Sequence, residues 1–187
     1  MTTRDLVLIA LFAAIVVVLG LIPPVPLGFI PVPITAQSMG VMLAGCILGA
    51  KRGALAYALV VLLVAMGLPV LSGGHGGLNA LFGATGGYIF GWVLGAFVTG
   101  LAAERFARAS STASGQTIGF FAASILGGIG VVYACGMPWW SFVAGTPIDK
   151  VLIGSLAFLP GDLIKAAIAA LAARAVMVGY PLLPKRA

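Results

Sequence analysis

Charge is what this sequence has least of. Ten basic and four acidic residues make up 7% of 187, against about 25% in soluble domains, and an ordinary water-soluble fold is excluded. The one histidine, His75, has no Cys, Asp or Glu partner at ligand spacing, so a rim position suits it better than a metal or general-base role. Cys46 and Cys135 sit inside apolar runs; they are small core residues and form no disulfide framework. No G-x-S-x-G, H-E-x-x-H or Walker A sequence occurs, so no catalytic set and no ATP hydrolysis are expected. Alternating ten-residue strands are missing, which disfavours an outer-membrane barrel. The net charge of +6 is scattered in ones and twos, without the clustered basic stretch a nucleic-acid partner would need.

What the chain has instead is apolar length, with 61% hydrophobic residues. Runs of roughly 17 to 22 residues match the ~20 needed to cross a bilayer as helix. The reading is an all-α integral membrane protein, one domain over 1–187, with six spans at about 5–22, 36–50, 53–68, 85–103, 117–136 and 162–178. Outer loops are expected at 23–35, 69–84 and 137–161. The first run carries Arg4 but is followed by prolines and no A-x-A site, so it reads as a retained span. Ala10 and Ala14, four apart on that span, make a small face that either packs inside the bundle or docks a separate subunit.

The segment PPVPLGFIPVPIT, Pro23 to Thr35, holds five prolines and must be a loop. Its Leu27, Phe29 and Ile30 would be poorly placed in water, which leaves a cover over a pocket or an interfacial turn. Thr35 and Gln37 open span two as cap or ligand contact. Lys51-Arg52-Gly53 is expected to turn the chain into span three. Gly83, Gly87, Gly91 and Gly95 form a ridge at intervals of four that suits helix packing. Trp139 and Trp140 read as a headgroup belt, and Pro160-Gly161 should divide a short interfacial helix from span six. Arg4, Lys51, Arg52, Arg105, Arg108, Arg174, Lys185 and Arg186 gather at one face, which places both termini in the cytoplasm.

The stretch SGGHGGLNALFGATGGY, Ser72 to Tyr88, replaces the aliphatic background with small and polar residues and reads as one wall of a small-molecule pocket. Asn79 offers an amide donor and acceptor suited to a urea group, unless it only satisfies its own loop. Asp162 and Lys165, one turn inside span six, mark a substrate path or else neutralise each other.

Three motifs carry a family likeness: VPITAQSMGVMLAG (Val32 to Gly45), GGLNALFGATGGYIFG (Gly76 to Gly91) and FLPGDLIKA (Phe158 to Ala166). Together they resemble BioY, the biotin-specific substrate-binding subunit (S component) of energy-coupling-factor (ECF) transporters, over nearly the whole chain. One departure is Ala84, where the family often has proline.

The resemblance implies an S-component-like bundle of six helices that binds biotin near the outer face and is not itself an enzyme. Its partners would be a coupling transmembrane subunit and two cytoplasmic ATPases, in the bacterial plasma membrane. It implies Asn79 and Asp162 at the ureido ring, Lys165 at the carboxylate or steadying Asp162, and Tyr88 and Thr85 lining the pocket. Ala10 and Ala14 become the docking motif. Competing readings are a self-sufficient carrier, an S component for another vitamin, and an intramembrane enzyme using His75 with Asp162.

Overall fold

The computed structural model describes residues 1–28, 31–180 and 182–183. Phe29, Ile30, Lys185, Arg186 and the side chain of Arg108, which entered the sequence reading, lie outside them.

The described chain is helical: α1 (Thr3–Gly20), α2 (Gln37–Leu48), α3 (Ala50–Ala65), α4 (Leu78–Phe82), α5 (Gly86–Ala109), α6 (Ala113–Ala144), α7 (Ile148–Ser155) and α8 (Leu159–Gly179). Three of them, α1, α5 and α6, are long and apolar enough to cross a membrane; α7 and α8, bent by 50°, would together make a fourth. α2 and α3 are shorter, at 12 and 16 residues.

α5 is the central element, in contact with α2, α3, α4 and α6. Its glycines explain how the others come so close. A Cβ at Gly91 would stand 3.0 Å from the Cβ of Cys135, one at Gly95 would stand 2.7 Å from Val132 Cγ2, and one at Gly87 would collide with Trp139, all on α6. The ridge is a packing face, with Gly83 left outside it as the end of α4. On the other side Gly45 of α2 meets Thr99 of α5, where a Cβ would lie 2.6 Å from the threonine Cβ. Close backbone approach of this kind is how helices associate where lipid offers no competing hydrophobic drive.

The turn between α2 and α3 differs from the expected Lys51–Gly53. It is made by Gly49 alone, at φ 82°, a left-handed conformation that side chains disfavour. Lys51 and Arg52 therefore sit in the first turn of α3, whose Ala50 N–H donates to Glu104 at 3.0 Å. Arg52 pairs with Asp5 at 2.7 Å and donates to the Leu182 carbonyl at 2.9 Å, tying α1 and the C-terminal segment to α3.

α6 also runs further than expected. Pro138 lies inside it, and residues 124–131 are wound as a π-helix. A proline is tolerated inside such a helix where neighbouring helices take up the freed backbone groups. As a result 137–144, expected as loop, is helix, while the short helix expected before Pro160 is α7 (Ile148–Ser155). The tryptophans point into the protein: Trp140 is buried, and Trp139 Nε1 donates to the Gly83 carbonyl at 2.9 Å. Ala10 and Ala14 are exposed on α1, next to Leu11 and Val18, so they do not pack inside the bundle.

Candidate functional site

Helix starts converge at one end of the bundle. The first residues of α2, α5 and α8, together with α4 and the two loops before α2 and α4, enclose a cavity of about 790 Å³. That is within the ~300–1,000 Å³ usual for small-molecule sites. Its wall is mostly apolar and aromatic, with Trp92, Tyr88, Tyr133 and Phe158 among the lining residues. Tyr133 stands edge-on to Tyr88 and to Phe158, with ring centroids 6.3 and 6.4 Å apart, the arrangement aromatic quadrupoles favour.

Asp162 is the acid of this cavity, 6% exposed and in the first turn of α8, where the helix dipole favours a negative charge. One oxygen accepts from Lys165 Nζ at 2.8 Å and the other from the Tyr133 hydroxyl at 2.7 Å. Each carboxylate oxygen keeps a further lone pair for a donor arriving from the cavity. The Asp162–Lys165 ion pair therefore exists, as the structural alternative held, but beside a cavity rather than in place of one.

Lys165 gives its other two protons to the Thr35 carbonyl at 2.8 Å and to Ser38 Oγ at 3.0 Å. The side chain of Thr35 does not cap α2, whose N-cap is Ala36 and which has no side-chain cap. Asn79 is exposed on α4 and lines the cavity, so it is not a buried group satisfying its own loop. The Tyr88 hydroxyl is buried without a hydrogen-bond partner among the described residues, although Tyr88 lines the cavity. Thr85, half-buried at the start of α5, reaches the Ala80 carbonyl at 3.5 Å. His75 is exposed at the cavity's edge.

Asn79, Thr85, Tyr88, Asp162 and Lys165 thus share one cavity despite their separation in sequence. Two residues carry more than the sequence suggested. Tyr133 gave no signal inside an apolar run. Gln37 faces the protein: its amide donates to the Val16 and Val70 carbonyls at 3.1 and 2.9 Å and accepts from the Ser72 N–H at 2.9 Å. It is a bracket that fixes the loop before α4 against α1 and α2. Its mark in the sequence is that it is an uncharged amide at the start of a mostly apolar helix.

The sequence profile of the BioY family matches residues 1–181. A biotin transporter BioY from Rhizobium etli is 60% identical over the whole of both chains. One from Rhodobacter capsulatus is 48% identical, covering 92% of this chain and 93% of its own. A crystal structure of the S-component for biotin from an ECF-type ABC transporter superposes with a TM-score of 0.87 at 35% identity, covering 97% of each chain.

Proposed function

Because the chain belongs to the BioY family, we propose that it is the biotin-binding S component of an ECF-type transporter, capturing the vitamin at the outer face of the membrane. The observation that carries this reading is a buried acid with lone pairs to spare, held at the wall of a largely apolar cavity that Asn79 also lines. Biotin is compact and amphipathic, with a polar urea, an apolar ring and chain, and one carboxylate. A largely apolar pocket with a few convergent polar groups suits such a ligand.

In this reading Asp162 accepts from the ureido N–H groups, and Asn79 supplies an amide donor and acceptor to the same ring. Tyr88 and Thr85 line the wall beside it. Lys165 steadies Asp162. Six spans, α1, α2, α3, α5, α6 and α8, would put both termini on one side of the inner membrane, and the basic residues gathered there would make that side cytoplasmic. α2 rises only about 18 Å, short of the hydrocarbon thickness, yet nine of its residues are buried. Non-helical backbone at membrane depth is tolerated when protein surrounds it, so a short α2 completed by the first loop still fits. The exposed Ala10 and Ala14 would receive the coupling transmembrane subunit. The two ATPases would then supply the energy that turns the filled pocket toward the cytoplasm.

The test is equilibrium binding of biotin to the purified chain. About one biotin per chain is expected. Asp162→Ala and Asn79→Ala should each weaken binding by about tenfold or more, the loss of a hydrogen bond at a desolvated site. Unchanged affinity in both variants would remove this assignment. Uptake in membranes without any coupling ATPase would show a self-sufficient carrier instead.

A further inference from the structure

An ammonium has three protons to give, and Lys165 spends all three inside the protein, on Asp162, the Thr35 carbonyl and Ser38 Oγ. Two of those acceptors belong to the start of α2, more than a hundred residues away in sequence. A helix N-terminus repels a cation, so the ammonium sits there with Asp162 supplying the opposite charge alongside it. The three groups form one electrostatic unit, and weakening one member loosens the others.

This unit adjoins the base of the first loop. Thr35 follows Ile34, which exchanges two backbone hydrogen bonds with Val25 at 2.9 and 3.0 Å. Pro24, Pro26 and Pro33, on either side of that bridge, line the same cavity as Asp162. Ser38 also donates to the Thr35 carbonyl at 3.3 Å, so one hydroxyl serves both the ammonium and the turn.

We infer that Ser38 is a positioning residue for ligand binding: acting through Lys165, its hydroxyl couples the carboxylate of Asp162 to the loop base at the cavity's mouth. This rests on the biotin reading of the site and adds a residue and a coupling to it. A ligand that displaces water lowers the local dielectric and strengthens the ammonium's hydrogen bonds. The loop base is then held more firmly. Because coupling between two sites is reciprocal, a firmer loop base holds the ligand longer.

The experiment uses the full chain in lipid nanodiscs, with biotin association and dissociation rates measured for wild type, Ser38→Ala and Ser38→Thr. Hydrogen exchange is followed in the peptides that contain the Val25 and Ile34 amides. Biotin should slow exchange there in wild type and in Ser38→Thr, and much less in Ser38→Ala. Dissociation from Ser38→Ala should be about tenfold faster, the loss of one hydrogen bond to a charged group, with association changed less than about twofold and Ser38→Thr close to wild type. Dissociation from Ser38→Ala within about twofold of wild type, with the same exchange protection, would overturn the coupling while leaving the site reading intact. Equal defects in Ser38→Ala and Ser38→Thr would overturn it too, because the hydroxyl would not be the operative group. Failure of wild type to bind biotin at all would overturn the site reading, and the coupling with it.

Discussion

Removing the hydroxyl of Tyr133 tests whether Asp162 must be held on both sides to bind ligand. Tyr133→Phe deletes the 2.7 Å donor to one carboxylate oxygen and leaves the ring edge-on to Tyr88 and Phe158, so little packing is lost. A hydrogen bond to a charged group is worth about 1.5–3 kcal/mol net. Part of that is recovered, because water admitted by an open cavity can replace the donor before ligand arrives. In the filled, drier site it cannot, so about 1–2 kcal/mol of the difference should fall on binding, or roughly 5- to 30-fold in Kd. Isothermal titration of the detergent-solubilised protein with biotin would read this. The thermal unfolding midpoint serves as the control, since a retained ring should keep it close to wild type. A Kd within about twofold of wild type would mean that Lys165 alone positions the acid, and that the Tyr133 hydroxyl serves the empty protein only.

Ala10→Trp and Ala14→Trp should leave biotin binding unchanged, because both positions are exposed on α1, while abolishing copurification with a coupling subunit and biotin uptake by cells. Loss of binding in either would put that face back inside the bundle. Gln37→Ala should leave the Val70 carbonyl and the Ser72 N–H unpaired at a buried position and cost about 2–4 kcal/mol, read as a fall in the thermal unfolding midpoint. A midpoint within about 2 °C of wild type would mean that water or a shifted loop replaces the bracket.

The polar residues of the site were legible because the chain has so few of them. In an apolar sequence Asp162 and Lys165 at membrane depth, and Asn79 among glycines, stand out through the cost of placing them there, and the cavity they share follows from that cost. Tyr133 was not legible for the converse reason: an aromatic residue within a hydrophobic span is ordinary, and only its distance to Asp162 gives it a role. Where single helices begin and end depends on local punctuation, and there the reading differs where tertiary contacts override it. Pro138 looks like a terminator, but α6 passes through it while packed along α5. Lys51-Arg52-Gly53 looks like a turn, yet one glycine at Gly49 suffices once α2 and α3 pack closely. The paired tryptophans look like headgroup anchors until Trp139 is seen bonded to the Gly83 carbonyl.

The position of α5 bears on how the protein is made. It is the helix that α2, α3, α4 and α6 lean on, but it leaves the ribosome only after α1, α2 and α3. Until α5 follows, the face of α2 that carries Gly45 lacks the helix it packs against. Substitutions along α5 should therefore reduce the amount of protein that survives quality control before they alter anything measurable in the protein that does.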